Sequence, residues 1–137
     1  MPEKQTVERA KADLRRGNRP STAAGEFVRE EMEHIREGKH GARSAKQAIA
    51  IGLSKARRAG VPLKPPGEGT VKDATRRSAK SAYEVGQGER KPRAPSAKRS
   101  QATKKALKRE PKAAASHKAL SRQAKSAAAK RGQRKRP

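Results

Sequence analysis

The stretch that decides the fold is residues 21–60, which read STAAGEFVREEMEHIREGKHGARSAKQAIAIGLSKARRAG. It holds most of the large apolar residues of a 137-residue chain that contains one phenylalanine, one tyrosine and no tryptophan. Apolar residues recur here at the three- and four-residue spacing of an amphipathic helix, before and after a break marked by glycine. The stretch therefore predicts a central helical hairpin over about residues 22–60.

The first helix of this hairpin has a start signal, a stop signal and two distinct faces. Ser21 or Thr22 is its predicted N-cap, and Gly38 is a natural C-terminal stop. Its apolar stripe is predicted to consist of Ala24, Val28, Met32 and Ile35, with Phe27 beside it. The opposite face is predicted to be acidic and to carry Glu26, Glu30, Glu33 and Glu37. Such a face should avoid phosphate and meet either a basic partner or the basic tail of the same chain.

The second helix of the hairpin has the most consistent set of signals. Ser44 and Gln47 form a capping box at its start, and Gly60 is expected to end it in the left-handed conformation, with Val61 folding back. The predicted apolar stripe is Ala45, Ile49, Leu53 and Ala56, beside the small residues Ala48 and Gly52. Ile51 does not fit this stripe: it is either a single exposed apolar residue or a second contact.

The flanking segments complete a four-part organisation. Residues 1–20 contain a short helix capped by Thr6 and a linker, and residues 21–60 are the hairpin. Residues 61–88 are a Pro/Gly linker followed by a helix whose capping box is Thr70 with Asp73. Residues 89–137 are a low-complexity tail rich in alanine, lysine and arginine, in which Pro111 separates two segments of helical composition.

Charge is distributed very unevenly along the chain. The formal net charge is +24, yet residues 1–43 carry ten basic and eight acidic residues, and residues 44–137 carry 27 basic and five acidic residues. Too little apolar surface is available to offset the entropy of ordering the whole chain. The predicted fold class is therefore all-α, with a central hairpin, further short helices and a long basic C-terminal tail that is largely disordered or only conditionally helical.

The positive charge points to a polyanion as the partner, because each neutralised phosphate releases condensed counterions. Aromatic residues that would stack on single-stranded bases are nearly absent, which favours duplex DNA, although basic tails bind RNA as well. An anionic membrane is ranked lower because the tail lacks a face of large apolar residues. The candidate phosphate contacts in the tail are Lys98, Arg99, Lys104, Lys105, Lys108, Arg109, Lys112, Lys118, Arg122, Lys125, Lys130, Arg131, Arg134, Lys135 and Arg136.

The second hairpin helix offers a further basic surface. The residues predicted to project away from its apolar stripe are Lys46, Lys55, Arg57 and Arg58. Two helices and a turn suggest a helix-turn-helix, but the break over residues 38–43 is longer than the turn of that motif. A scaffold hairpin with solvated lysines is the alternative interpretation.

Other functional classes find no support in the sequence. Without cysteine there is no thiolate nucleophile and no cysteine-based metal site, and His34, His40 and His117 have no recognised ligand spacing. The serines have no credible His/Asp partners. We therefore predict a non-enzymatic protein that has no cofactor and no metal. The chain has no apolar run of membrane-spanning length, so we expect a cytoplasmic, nucleoid location.

Residues 46–57, KQAIAIGLSKAR, resemble the core segment of a family of small basic bacterial proteins that is largely uncharacterised. The resemblance extends upstream through Gly38-Lys39-His40 and Phe27, over about residues 22–60, and implies no established chemistry. The composition of residues 90–137 is similar to that of linker-histone and bacterial histone-like tails, in composition only.

The leading hypothesis is a sequence-independent, histone-like or nucleoid-associated protein that binds the phosphate backbone, most simply of DNA, through its tail. The hairpin then serves as an anchor or as the contact of a homodimer. The alternatives are a protein–protein interaction module that uses Ile51 and the acidic face, and a ribosome- or RNA-associated accessory protein with a basic tether.

Overall fold

The structure is a computed structural model that describes residues 2–67, 69, 71–94 and 96–135, with side chains described as far as residue 132. Within these residues the chain forms helices and the segments that join them, without a strand, so the all-α prediction is confirmed. In chain order the helices are α1 (Lys4–Arg15), α2 (Pro20–Arg36), α3 (Ala45–Arg58), α4 (Asp73–Gly86), α5 (Ala97–Arg109), a 3-10 helix (Lys112–Ala115) and α6 (His117–Lys135).

The chain divides into two compact units whose sequences interleave. Unit 1 is Met1–Glu31 with Ala50–Pro95, and unit 2 is Met32–Ile49 with Ser96–Pro137. The α2–α3 hairpin is shared between them: its open end belongs to unit 1 and its turn belongs to unit 2. The basic C-terminal segment thus forms one compact unit with the hairpin turn.

Phe27 of α2 is the largest side chain in the core of unit 1 and is fully buried. It belongs to one cluster with Ala10 of α1, Ala56 of α3 and Val61, the residue that folds back after α3. The partly buried residues packed against this cluster are Val7, Leu14, Leu53 and Leu63. Alanine leaves room for the helix backbones to approach the single aromatic ring, so a small core is enough to join α1, α2 and α3.

The two helices of the hairpin lie very close where Gly52 meets Val28. A methyl group on Gly52 would be 2.7 Å from the Cα atom of Val28. The buried residues of α3 include Ala45, Ala48, Gly52 and Ala56, whereas Ile49 and Leu53 are only half-buried. The inner face is therefore centred on small residues and not on the large residues of the predicted stripe. Ile51 is half-buried as well.

The predicted ends of the hairpin helices are largely correct. The Gln47 amide N–H donates to the Ser44 hydroxyl at 3.2 Å, and the Gln47 side-chain oxygen accepts from the Arg43 amide at 2.6 Å. Gly38 and Gly60 have φ angles of 83° and 104°, which is the left-handed region that favours glycine. Local sequence signals therefore place both the cap of α3 and the two stops.

Other helix starts differ from the predictions. Helix α2 begins at Pro20, because the fixed φ of proline suits a first helical turn, so Ser21 and Thr22 lie inside the helix and do not cap it. Helix α4 begins at Asp73, and Thr70, its predicted capping partner, lies outside the described residues.

The prediction of a solvent-facing acidic side on α2 is wrong at Glu30. Glu30 is 3% exposed, and its Oε1 atom accepts from the Glu3 amide and from the Thr6 hydroxyl. Thr6 is therefore a buried donor inside α1, not the predicted N-cap. The neighbouring Glu31 is also fully buried and forms an ion pair with Lys55 of α3. These carboxylates hold the hairpin and α1 together instead of facing solvent.

The prediction that the basic C-terminal segment is largely disordered is wrong over its described residues. Within unit 2, the Gly41 amide donates to the Leu107 carbonyl at 2.8 Å, and the Ala42 amide donates to the Pro111 carbonyl at 3.1 Å. Ala115 is fully buried, and its carbonyl accepts from the Arg36 guanidinium at 3.1 Å. On the side of the C-terminal segment, the groups that make these contacts are backbone carbonyls and a small side chain, none of which carries charge.

Candidate nucleic-acid interface

Helix α5 presents its cations to solvent on the side away from its packed residues. Leu107 and Ser100 are half-buried and mark the inner side. At about 100° per residue, Lys98, Lys105 and Arg109 lie within about 20° of one line on the opposite side, over a length of about 16 Å. We call these three residues the α5 stripe. All the predicted phosphate contacts on this helix are exposed, namely Lys98, Arg99, Lys104, Lys105, Lys108 and Arg109.

Helix α6 repeats this arrangement over a shorter length. At the same rotation of about 100° per residue, Lys118, Arg122 and Lys125 lie within about 40° of one line that is about 10 Å long. All three are exposed. We call these residues the α6 stripe. The half-buried residues of the other side are Ala119, Leu120, Gln123 and Ala127.

The end of α6 extends the basic surface. Lys130 and Arg131 are exposed. The helix backbone continues through Arg134 to Lys135, and the predicted contact Arg136 lies outside the described residues.

Unit 2 has almost no negative charge to neutralise these side chains. Its sequence contains 19 lysines and arginines against three glutamates. The ion pairs formed among the residues that the structure describes do not include any residue of the two stripes. The stripes are therefore available to an external anion.

A cleft of about 400 Å³ opens in unit 2 between the start of α3 and α6. Its basic lining residues come from two parts of the chain: Arg43 and Lys46 lie at the start of α3, and Arg122 belongs to the α6 stripe. The cleft has no acidic residue in its lining, and its polar uncharged residues are Ser44, Gln123 and Ser126.

Arg57 was predicted to project away from the apolar stripe of α3. This prediction is wrong, because Arg57 is buried, with 8% of its surface exposed. Its guanidinium donates to the carbonyls of Leu63 and Lys64, at 3.1 and 3.4 Å, and so fixes the chain after α3. Burial lowers the pKa of Arg57, since an apolar environment disfavours the charged form. Lys55 is directed to Glu31 in the ion pair described above. Both cations already have structural partners in unit 1.

The remaining predicted cations have different positions. Lys46 and Arg58 are exposed, Lys46 beside the cleft in unit 2 and Arg58 at the end of α3 in unit 1. Lys112 is exposed too, but its ammonium lies against Gly38, where the carbonyl end of α2 favours positive charge. The structure thus brings Lys46 and Arg122 to one cleft of unit 2, whereas Arg58 belongs to unit 1.

The sequence interpretation missed Arg43, Gln123 and Ser126 as parts of this surface. Arg43 had a usable signal, because it directly precedes the cap Ser44 and so had to lie at a helix N-terminus. The two α6 residues had none, since their approach to α3 joins parts of the chain that are far apart in sequence.

Phenylalanine, tyrosine and tryptophan are absent from the same unit. Phe27 and Tyr83, the only two residues of the Phe/Tyr/Trp class, both belong to unit 1. In unit 2 the rings of His34 and His40 face each other edge-on with centroids 6.2 Å apart. Base stacking therefore has no phenylalanine, tyrosine or tryptophan platform beside the two stripes.

Comparison with known proteins matches part of the chain to a protein family. Residues 18–66 match the model of a family of unknown function (DUF6496). The matched part spans α2, α3 and their joining turn, and ends before α5 and α6. Neither the curated proteins nor the solved structures contain a significant match to the chain. Among the described helices, none is both long and apolar enough to cross a membrane.

Proposed function

We propose that this protein binds nucleic acid, duplex DNA foremost, through phosphate contacts made by the α5 and α6 stripes of unit 2. Binding of this kind positions the protein on the backbone and carries no base sequence information. The protein would then act as a non-enzymatic, histone-like component of the nucleoid.

The observation that supports this proposal is the presentation of aligned, unpaired cations on folded helices. An ordered helix holds Lys98, Lys105 and Arg109 on one line, so that all three can approach one backbone together. Duplex DNA carries one negative charge per about 1.7 Å of helix axis, so a 16 Å stripe lies beside several phosphates at once. The absence of phenylalanine, tyrosine and tryptophan from unit 2 favours backbone contact over base stacking.

The alternative of a protein-interaction module loses part of its basis. That interpretation depended on an exposed acidic face of α2, and Glu30 of that face is buried against α1. Glu33 and Glu37 remain exposed. RNA stays the competing nucleic acid, and competition between a DNA duplex and a structured RNA for the full-length chain distinguishes the two.

A salt titration tests the proposal. The full-length chain is titrated onto a fluorescent DNA duplex of mixed sequence, and anisotropy is measured from 50 to 200 mM salt. If the two stripes make about six phosphate contacts, log K falls with log salt with a slope of about −5, a loss of about 10³-fold across this range. An affinity that is indifferent to salt would remove the proposal.

The chain offers a matched control for the role of α5. Lys4, Lys11 and Arg15 of α1 have the same residue types and the same spacing as Lys98, Lys105 and Arg109, and are also exposed. The triple variant K98Q/K105Q/R109Q should lower affinity about 500-fold at 0.1 M salt and reduce the slope by about 2.7. K4Q/K11Q/R15Q removes equal charge from unit 1 and should change affinity only a few-fold. Equal losses in both variants would show a diffuse charge effect instead of a binding surface.

A further inference from the structure

The α3–α6 cleft of unit 2 differs from the two stripes in shape and in composition. The stripes are convex helix surfaces with lysine and arginine in solvent. The cleft is concave, and its lining includes the buried residues Ala45 and Ala114. Two cations from the start of α3 and a third from the sequence-distant α6 converge on it, and its lining has no carboxylate to repel an anion. We propose that this cleft is a seat for one phosphate group of the bound nucleic acid, an inference that rests on the proposed function.

The charged side chains of the cleft suit a phosphate. Arg122 can donate two parallel hydrogen bonds to one phosphate, which a lysine in its place cannot do. Lys46 and Arg43 add charge from the α3 side. Ser126 and Gln123 offer neutral donors along α6. A tetrahedral anion has several oxygens to accept from donors on both walls, so it satisfies more of these groups than a flat carboxylate does.

The backbone of α3 supplies further donors at the same place. The Gln47 amide donates to the Ser44 hydroxyl, and the Ala48 amide donates to the Ser44 carbonyl, both at 3.2 Å. The first two amides of the helix, those of Ala45 and Lys46, have no acceptor within the helix, as is general for first-turn amides. Both residues line the cleft, where the positive end of the helix dipole adds to the side-chain charge.

The cleft is also well placed with respect to the stripes. Arg122 lines the cleft and is also the middle residue of the α6 stripe. A backbone that follows the stripe therefore passes the mouth of the cleft. One phosphate can enter it while its neighbours contact Lys118 and Lys125 on the surface. The seat would fix the register of a backbone that the stripes alone leave free to slide.

Amide chemical shifts of the full-length chain test this inference. One arm adds inorganic phosphate, with chloride replaced so that ionic strength stays constant, and a second arm adds a short DNA duplex. We expect saturable shifts of the Ala45 and Lys46 amides in both arms. The variant R122Q should abolish these shifts and lower duplex affinity by about eightfold or more at 0.1 M salt. The matched control K125Q removes a charge from the same stripe outside the cleft, so it should keep the shifts.

The outcomes separate this inference from the proposed function. Salt-dependent duplex binding without shifts at Ala45 and Lys46, or with equal shifts in R122Q and K125Q, would overturn the seat and leave the stripes intact. Shifts with inorganic phosphate but not with the duplex would overturn the assignment to a nucleic-acid phosphate and indicate a small phosphorylated ligand. The conservative variant R122K keeps the charge and should retain the salt slope, while its phosphate shifts saturate at a higher concentration.

Discussion

The substitution Gly41→Ala should detach the C-terminal segment from the hairpin turn. Gly41 has no left-handed φ angle, so the residue is needed for space and not for backbone conformation. A Cβ atom there would be 1.8 Å from the Glu110 carbonyl oxygen, whereas real Cβ contacts are essentially never under 3.0 Å. The segment must therefore move away. The backbone hydrogen bonds from the Gly41 amide to the Leu107 carbonyl and from the Ala42 amide to the Pro111 carbonyl are then broken or lengthened.

The cost of this movement can be estimated from its parts. Two backbone hydrogen bonds contribute about 1 kcal/mol each, and residual overpacking adds about 1 to 2 kcal/mol. A loss of about 3 to 4 kcal/mol in the free energy of local opening corresponds to hydrogen exchange that is about 140 to 700 times faster. We expect this acceleration in the protected amides of α5 and α6, measured by hydrogen exchange with mass spectrometry.

Gly25→Ala is the matched control, because it makes the same chemical change at an exposed position of α2 with open space around it. It should leave exchange in α5 and α6 unchanged and stabilise α2 by up to about 1 kcal/mol. The reasoning is refuted if α5 and α6 exchange at the rate of an unfolded chain already in the parent protein, or if Gly41→Ala has no effect on them.

Three further substitutions test the hairpin by chemical denaturation of the full-length chain. Gly52→Ala should cost about 1 to 3 kcal/mol, because its methyl group would meet the backbone of Val28, and unchanged stability would contradict the close approach. Lys55→Met should cost about 2 to 4 kcal/mol by removing the cation paired with the buried Glu31, and Glu31→Gln should recover part of that loss in the double variant. Ser44→Ala should cost about 1 kcal/mol through the lost N-cap, and a cost near zero would show that Gln47 closes the turn without it.

The parts of the fold that were predictable are those fixed by neighbouring residues. The cap at Ser44 and the stops at Gly38 and Gly60 depend on local φ angles and on hydrogen bonds over three or four residues, which the sequence displays directly. The centre of the buried face of α3 was predicted wrongly, because the largest apolar residues, Ile49 and Leu53, were expected to be the most buried. At Gly52 the helices approach so closely that only the smallest residues fit the inner face.

The charged residues show why the rest was not predictable. Glu30, Glu31 and Arg57 are polar by type, but their burial depends on donors and acceptors from other segments, which periodicity does not reveal. The order of the basic segment was missed for a related reason. Repulsion among the lysines and arginines was expected to keep the segment disordered. The segment instead packs on the hairpin turn through uncharged groups of its own, such as the Leu107 carbonyl. In the candidate site, the cations could be named from sequence, but their alignment and the cleft could not.

The interleaving of the two units has a consequence for the order in which the chain can fold during synthesis. The hairpin turn emerges from the ribosome early, but residues 107–115 that bind it follow more than sixty positions later. At about 5 to 20 residues per second this leaves an interval of several seconds. During that time unit 1 can form from residues already made, whereas the turn still lacks its cover. A released chain that ends at residue 95 should therefore hold a protease-resistant first unit with a turn that proteases still cut.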